Sequence, residues 1–254
     1  MGYNLTQFQK DLASLQISLS DRQLEQFILY YEMLIEKNKV MNLTSITEFD
    51  EVMKKHFIDS LSLIKAVDLH LHNEDSLVDI GTGAGFPGIP LKIAFPNLKI
   101  TLLDSLQKRV GFLQDVIEQL GLEQITAIHG RAEDFAKPQK QENDSEAMRE
   151  KFDICVSRAV ANLSALSEYC IPYVRVGGKF ISYKSEKTED ECKAADYAVG
   201  LLGGKISGTI RFELPDSSIY RTLVVIDKVQ QTPLRYPRKA GTALKTPLSR
   251  VNYS

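Results

Sequence analysis

The spacing of hydrophobic and polar positions changes near residue 70 of the chain. Before that point, apolar side chains recur at helical spacing, as in Leu24–Ile35, and Ser20 with Gln23 has the form of a capping box. A loop is predicted at Lys37–Thr44, and a further helical pattern follows at Phe49–Ile64. Residues 1–70 are therefore predicted to form an N-terminal helical extension.

From residue 76 onward, short apolar runs alternate with helical segments, which predicts a parallel sheet covered by helices on both faces. The segment between the last two predicted strands, near Pro215–Ser218, is too short for a helix, so these strands should form an antiparallel hairpin. The predicted strands are Leu77–Ile80, Ile100–Leu103, Ile125–Ile128, Ile154–Val156, Phe180–Tyr183, Lys205–Leu214 and Thr222–Val229. Seven strands with a late hairpin are typical of the Rossmann-like α/β fold of S-adenosylmethionine (SAM)-dependent methyltransferases, here predicted for residues 71–229.

Composition adds few constraints to this picture. The 254 residues are 43% hydrophobic and 25% charged, as in ordinary globular proteins, and the net charge of -2 gives no global indication of nucleic acid binding. No apolar run is long enough to span a membrane, and the N-terminus is unlike a signal peptide. Cys155, Cys170 and Cys192 show no metal-binding spacing. A cytoplasmic protein without structural metal is expected.

A glycine-rich turn follows the first predicted strand and precedes a helix. Such a turn suits either a dinucleotide or SAM, because glycine allows a sharp turn and close approach of a ligand. Asp79, at the end of the strand, can accept from the methionine ammonium of SAM directly or through water, and would repel a pyrophosphate. Alternatively, Asp79 caps the turn. The candidate cofactor residues of the turn are Gly81, Gly83, Gly85 and Phe86.

Two further segments follow predicted strands and could contact an adenosine. Asp104 ends the second strand, where a carboxylate can bind both ribose hydroxyls; the alternative is that Asp104 or Ser105 caps the next helix. Gly130–Asp134 follows the third strand, where the backbone N–H of Ala132 or Glu133 could meet an adenine nitrogen. A solvated cluster of charges is the alternative for this segment.

Basic residues follow the fourth and fifth strands. Arg158 should lie at the carboxyl edge of the sheet, where it can meet the substrate, the SAM carboxylate or an RNA phosphate, and it is the predicted catalytic residue. Lys184 has a similar position. For each, an ion pair with a neighbouring acid is the alternative. His56 is interpreted as a structural residue of a helix.

The C-terminal segment, residues 230–254, is predicted to be a basic tail. From Lys228 to Ser254 the chain has six Lys or Arg and no Asp or Glu, which favours contacts with nucleic acid phosphates. A tail that only increases solubility is the alternative. The candidate RNA-binding residues are Arg235, Arg238, Lys239, Lys245 and, outside the tail, Lys184.

Taken together, these motifs resemble those of the bacterial ribosomal RNA small subunit methyltransferase G family, also called glucose-inhibited division protein B. The resemblance covers nearly the whole chain. The segments that carry it are Lys39–Ser45, His56–Leu61, Leu77–Pro90, Leu103–Phe112, Gly130–Phe135, Ser157–Ala161 and Tyr236–Thr242.

The resemblance implies SAM-dependent methylation of guanine N7 in the 530 loop of 16S ribosomal RNA. The expected partner is small-subunit RNA or a ribosomal particle, and the protein is expected to be a monomer. By the same resemblance, Gly81 and Phe86 contact SAM, Asp104–Leu106 hold the adenosine, and Ala132 with Glu133 flanks the adenine. Arg158 would lie at the cleft between cofactor and substrate. Leu106 is therefore a further candidate cofactor residue.

Methylation at guanine N7 requires no general base, since this nitrogen has a lone pair in the ring plane and no proton to lose. The absence of an obvious acid–base constellation in the sequence agrees with such a reaction. Two alternatives stay open at this point: a nicotinamide-dependent oxidoreductase, and a non-catalytic RNA-binding factor in ribosome assembly.

Overall fold

The computed structural model describes residues 2–138, 147–159, 161–185 and 188–250. The N-terminal part consists of α1 (Thr6–Ser14), α2 (Asp21–Met41), α3 (Phe49–Val52), a π-helical turn (Met53–Ile58), α4 (Asp59–Leu61) and a 3-10 turn (Ser62–Lys65). The later helices are α5 (Gly88–Ala94), α6 (Gln107–Gln119), α7 (Ala132–Phe135), α8 (Leu163–Cys170), a 3-10 turn (Ile171–Tyr173), α9 (Glu189–Leu201) and α10 (Thr242–Lys245).

Within these ranges, one sheet of seven strands has the order β3-β2-β1-β4-β5-β7-β6. Strands β1 to β5 run parallel, and β7 pairs antiparallel with both β5 and β6. The predicted α/β fold with a late hairpin is confirmed. The strands are β1 (Ser76–Ile80), β2 (Lys99–Asp104), β3 (Ile125–His129), β4 (Phe152–Ser157), β5 (Val174–Lys184), β6 (Gly204–Glu213) and β7 (Tyr220–Lys228).

The predicted loop at Lys37–Thr44 is wrong for Lys37–Met41, because α2 continues to Met41. The helix begins at the predicted capping box of Ser20 and Gln23 and ends where Asn42 adopts a left-handed conformation with φ of 49°. Asn38, still within the helix, binds both the N–H and the carbonyl oxygen of Thr44 through its side-chain amide. Local side-chain bonds therefore shape the turn that follows the helix.

Two hydrophobic clusters cover the two faces of the sheet. Leu77 and Val78 are neighbours in β1 and belong to different clusters, as expected from the alternation of side chains along a strand. The cluster containing Leu77 also contains the buried side chains of the N-terminal helices, such as Phe27 and Phe57. The N-terminal helices therefore pack on one face of the sheet, and α8 and α9 contribute to the cluster on the other.

The described part of the C-terminal segment folds back onto the α/β part of the chain. Tyr236 is 1% exposed, and Arg238 forms an ion pair with Glu168 of α8. The segment is therefore packed over this length, while the division of the chain into three parts stays a prediction. Within the described ranges, no helix combines the length and apolar character that crossing a membrane requires.

Candidate active site

Two adjoining cavities, each of about 550 Å³, lie where the parallel strands end. The first cavity is lined by residues that follow β1, β2 and β3 and by parts of α8 and α10. The second cavity is lined by residues of α4, β5 and β7 and by residues that follow β4. Ala159 and Ala161 line both cavities. The edge of the sheet predicted to bind ligands therefore contains two compartments with a common wall.

The glycine loop, Gly81–Gly88, connects β1 to α5 beside the first cavity. Gly81 lines that cavity and, like Gly83, has a positive φ, of 72° and 63° respectively, which favours glycine. A Cβ at Gly88 would lie 2.2 Å from Leu102 Cδ2, so this position has no room for a side chain. The conformation of the loop and its contact with β2 therefore both require glycine.

Asp79 is fully buried beneath the glycine loop. Its Oδ2 accepts hydrogen bonds from Thr82 Oγ1 at 2.7 Å and from the Gly88 N–H at 2.9 Å. Burial raises the pKa of this carboxyl to about 7, although the two hydrogen bonds act in the opposite direction. A fully buried carboxyl has no surface for direct contact with a ligand. The geometry fits the alternative interpretation, in which Asp79 caps the turn.

Asp104 lies at the end of β2 and lines the first cavity. Its Oδ2 accepts from the Gly83 N–H and its Oδ1 from the Leu106 N–H, each at 2.9 Å. Arg109 Nη1 lies 3.5 Å from Oδ2. Because a carboxylate can accept about four hydrogen bonds, Asp104 can fix the loop and still accept from a ligand. The two interpretations given to Asp104 are therefore compatible.

Two buried acids bind the C-terminal segment where it lines the first cavity. Glu133 accepts from the Gly241 N–H at 2.8 Å. Glu168 accepts three side-chain hydrogen bonds and one backbone hydrogen bond from Arg238 at 2.6–3.1 Å. These contacts place Gly241 and Leu244 of the C-terminal segment in the lining of the cavity. The C-terminal segment therefore forms part of the wall of the first cavity.

The second cavity contains a dense set of charges. Arg158, Lys184 and Arg221 line it together with the acids Asp59 and Glu191. Lys184 Nζ lies 2.8 Å from Glu191 Oε1, so the ion pair considered for Lys184 is present. Arg158 Nη1 lies 3.4 Å from Asp59 Oδ2, so Arg158 also has an acidic neighbour. Both side chains line the cavity in spite of these pairs.

His56 is an uncharged part of the wall behind Arg158. Its ring stacks on Phe86 with centroids 4.5 Å apart, and Nε2 lies 2.8 Å from Thr44 Oγ1. Burial, followed by the nearby charge of Arg158, lowers the pKa of His56 to about 3. Arg158 Nη2 lies 3.3 Å from Nδ1, and an arginine can only donate, so Nδ1 is the acceptor. These surroundings agree with the interpretation of His56 as a structural residue.

The structure separates the predicted cofactor residues into three groups. Gly83, Gly85, Phe86 and Asp79 support the loop and do not line the first cavity. Arg158 lines the second cavity and not the first. The predicted residues that line the first cavity are Gly81, Asp104, Ser105, Leu106, Ala132 and Glu133. Their role in binding a cofactor stays a prediction.

The predicted RNA-binding residues also differ in their surroundings. Arg235, Lys239 and Lys245 are exposed, whereas Arg238 is tied to the buried Glu168. Arg238 therefore has a structural partner inside the protein, and its contact with RNA stays a prediction. Lys184 belongs to the second cavity instead of the C-terminal segment.

Several residues that line the cavities were not among those predicted from the sequence. Tyr169 and Leu244 line the first cavity, and Asp59, Glu191 and Arg221 line the second. Of these five residues, Asp59 is the one that lies within a segment that carried the family resemblance, His56–Leu61. Arg221 lies on β7, and only the antiparallel pairing of β7 with β5 brings it to this edge.

Comparison with known proteins gives a consistent result. The family model described as GidB, rRNA small subunit methyltransferase G, matches residues 23–219. A protein of Lachnoclostridium phytofermentans named Ribosomal RNA small subunit methyltransferase G is 53% identical over 96% of this chain and 97% of that protein. A protein of Staphylococcus saprophyticus with the same name is 50% identical over 91% of this chain and 93% of that protein.

A solved structure gives an independent comparison of the fold. The crystal structure of MtNAS in complex with MTA and tNA matches with a TM-score of 0.51 and 16% identity. The match covers 82% of this chain and 74% of that chain. At this level of identity the likeness concerns the fold alone.

Proposed function

Because the chain belongs to the GidB family, rRNA small subunit methyltransferase G, a family of SAM-dependent methyltransferases, we propose that it methylates guanine N7 in the 530 loop of 16S ribosomal RNA. The cofactor is SAM, as the sequence predicted. The reaction takes place in the cytoplasm on small-subunit RNA or on a ribosomal particle. The two adjoining cavities support this proposal.

The first cavity has the size and chemistry to hold SAM. Its volume of about 550 Å³ is within the range of small-molecule sites. Asp104 can accept from ribose hydroxyls, and the backbone of Ala132 and Glu133 lies at the wall where an adenine would be recognised. Leu106 and Leu244 are exposed apolar side chains beside this space and would cover a flat ring. When bound there, SAM supplies a methyl group carried on a sulfonium sulfur.

The chain itself has little proton chemistry to perform. Guanine N7 offers a lone pair and carries no proton, so no side chain has to remove one. His56, the histidine nearest to Arg158, is buried and already engaged at both ring nitrogens. The role of the protein is then to align the base and to exclude water, which can account for a large part of a rate enhancement.

The second cavity suits an RNA guanine nucleotide. Arg158, Lys184 and Arg221 supply positive charge for a phosphate or for the acceptor atoms of guanine. The exposed Arg235, Lys239 and Lys245 supply further positive charge on the C-terminal segment. Single-stranded loops are the part of RNA whose bases can be unstacked into such a pocket. A guanine in a loop is therefore a suitable substrate.

The common wall of the two cavities is the observation that carries the proposal. Ala159 and Ala161 line both spaces. Since alanine side chains are small, a methyl donor in the first cavity and a base in the second could approach each other closely at this wall. Arg158 precedes this wall in the chain and lines the second cavity, in agreement with its predicted place at the cleft.

The proposal is tested by methyl transfer from isotopically labelled SAM. We expect label in naked 16S RNA or in small ribosomal subunits, and chemical cleavage at 7-methylguanine should map it to the 530 loop. Subunits in which the target guanine is replaced by adenine should take up no label. Subunits with a guanine replaced elsewhere in the same loop serve as the matched control. Label at another base, or none in either substrate, would contradict the proposal.

A further inference from the structure

The acceptors that surround Arg158 come from the N-terminal helical part of the chain. Arg158 Nη1 lies 3.3 Å from the His56 carbonyl oxygen, 3.2 Å from Ser60 Oγ and 3.4 Å from Asp59 Oδ2. Its Nη2 lies 3.3 Å from His56 Nδ1. Arg158 itself follows β4, so these contacts join two parts of the chain that are far apart in sequence. The guanidinium is therefore held from one side by a short helical segment, His56–Ser60.

Asp59 also holds the second arginine of the cavity. Its Oδ1 accepts from Arg221 Nε at 3.1 Å, while its Oδ2 faces Arg158. The carboxylate is 5% exposed and lines the second cavity. Each oxygen of one buried acid is thus directed to a different guanidinium. Without that negative charge, two positive groups would share a poorly solvated space and repel each other.

The backbone around Asp59 is unusual and well anchored. Asp59 directly follows the π-helical turn Met53–Ile58. Such turns are rare in proteins as a whole, and those that occur are often found at functional sites. Ser60, the next residue, donates from Oγ to the His56 carbonyl oxygen and accepts at its own carbonyl oxygen from Tyr183 OH at 2.7 Å. Tyr183 lies on β5 and lines the same cavity. The segment is therefore fixed to the sheet at the site.

We propose that Asp59 is a positioning residue that fixes Arg158 and Arg221 in the wall of the second cavity, where they receive the RNA nucleotide. The inference rests on the proposed function for the identity of that nucleotide. It assigns the N-terminal helical part a role in the substrate site in addition to packing. Asp59 takes no part in bond making or breaking, and its effect on the reaction passes through the two arginines.

The test compares Asp59→Asn with Asp153→Asn. Asp153 is a suitable control because its carboxylate also binds an arginine, Arg175, and accepts from Ser76, but at the opposite end of β1. In Asp59→Asn one oxygen can still accept, while the amide group presents a donor to the other guanidinium. We expect kcat/KM for the RNA to fall about 10- to 100-fold, as is typical for misplaced binding groups. The control should retain wild-type kcat/KM.

Two measurements separate positioning from a general loss of structure. The Kd for SAM should change by no more than about twofold, since Asp59 does not line the first cavity. The melting temperature shows whether the variant is folded at the assay temperature. If Asp59→Asn is unfolded there, Asp59→Glu keeps the charge and displaces the carboxylate by one methylene, and it should also lower kcat/KM for RNA. Unchanged kcat/KM in a folded variant at position 59 would overturn the proposal.

Crystal structures of the wild type and Asp59→Asn give a result that does not depend on activity. We expect at least one of the two guanidinium groups to leave its wild-type position. Unchanged positions of both groups would overturn the inference, even if the wild type methylates 16S RNA as proposed. Conversely, displaced arginines in a protein whose wild type methylates no RNA would support the positioning role and contradict the proposed function.

Discussion

The two cavities at the carboxyl edge of the sheet are built in different ways. The first cavity is formed mainly by backbone, small residues and apolar side chains that follow β1, β2 and β3, with Asp104 bound to two backbone N–H groups. The second cavity is formed by charged side chains paired with one another, such as Asp59 with Arg221 and Lys184 with Glu191. A site built from backbone depends on the path of the chain, whereas a site built from ion pairs depends on partners from distant segments.

This difference predicts which properties mutations in each cavity should change. Loss of a buried partner in the wall of the first cavity should change stability and cofactor binding together, because the same contacts shape the chain and the site. Loss of a charged partner in the second cavity should change RNA binding with little effect on the cofactor. Substitutions in the walls of the two cavities test this contrast.

The largest effect is expected for Arg238→Ala. The substitution leaves Glu168, with a side chain 1% exposed, as an unpaired buried carboxylate. Breaking a buried pair in this way costs about 3–5 kcal/mol of unfolding free energy. It should also weaken SAM binding, because Arg238 anchors the segment that places Gly241 and Leu244 in the first cavity. Chemical denaturation and calorimetric titration with SAM measure the two effects.

The neighbouring residue gives the control for this prediction. Lys239→Ala removes an exposed charge and should change the unfolding free energy by no more than about 0.5 kcal/mol. The double variant Arg238→Ala with Glu168→Gln should recover part of the lost stability, since the uncompensated charge is gone. If Arg238→Ala were as stable as Lys239→Ala, the structural role of Arg238 would be wrong.

A smaller effect is expected for Asp104→Asn. The variant loses the negative charge that accepts from Gly83 and Leu106 and that lies near Arg109. Hydrogen bonds to charged groups contribute about 1.5–3 kcal/mol, so the affinity for SAM should fall about 10- to 100-fold. Binding of RNA by the cofactor-free protein should be unchanged. Asp115→Asn, at an exposed ion pair of α6 with Lys37, should change neither affinity.

The first cavity was largely predictable from the sequence for a physical reason. Parallel strands place their carboxyl ends at one edge, so the residues after each apolar run can be assigned to that edge without knowing the packing. Gly81, Asp104 and Ala132 were found in this way, and the family and SAM as cofactor are confirmed. Burial could not be predicted in the same way, and Asp79 lies beneath the loop instead of facing the cavity.

The second cavity was predictable only in part. Arg158 and Lys184 follow parallel strands and were placed by the same rule, but their partners come from elsewhere. Asp59 lies after a π-helical turn, and Arg221 lies on the antiparallel β7. No short-range pattern relates these positions, because the packing of the N-terminal helices on the sheet brings them together. On the other face of the sheet, packing of the C-terminal segment against α8 made part of the predicted basic tail a wall of the first cavity.

The pH dependence of stability should reveal the buried carboxyl under the glycine loop. Burial raises the pKa of Asp79 to about 7, so the unfolded chain releases this proton at lower pH than the folded protein does. The contribution of Asp79 to stability is therefore complete below its ordinary pKa and is lost as pH rises toward 7. Asp79→Asn does not ionise, and its stability relative to the wild type should rise between pH 4 and 7 by up to about 1.4 kcal/mol per pH unit.

Comparing the variant with the wild type removes the contributions that both share. The pKa of His56 is lowered to about 3 in the folded protein. As the pH falls below the ordinary pKa of histidine, His56 therefore destabilises the folded state, and it does so in both proteins alike. The measurement is the free energy of unfolding in denaturant at several pH values. A difference between Asp79→Asn and wild type that does not change with pH would contradict the raised pKa and the neutral buried carboxyl.

The smallest effect is expected for Lys184→Gln, and it isolates the second cavity. The side chain loses its ion pair with Glu191 and one positive charge in the cavity. The affinity for RNA should fall about three- to tenfold, and the slope of log K against log salt should decrease by about 1 if Lys184 contacts a phosphate. Lys179→Gln is the matched control, because Lys179 lies on the same strand β5 away from the cavity and forms an ion pair with Asp227 of β7. Equal salt slopes for the two variants would show that Lys184 makes no phosphate contact. A large loss of SAM affinity in Lys184→Gln would show that the two cavities do not act independently.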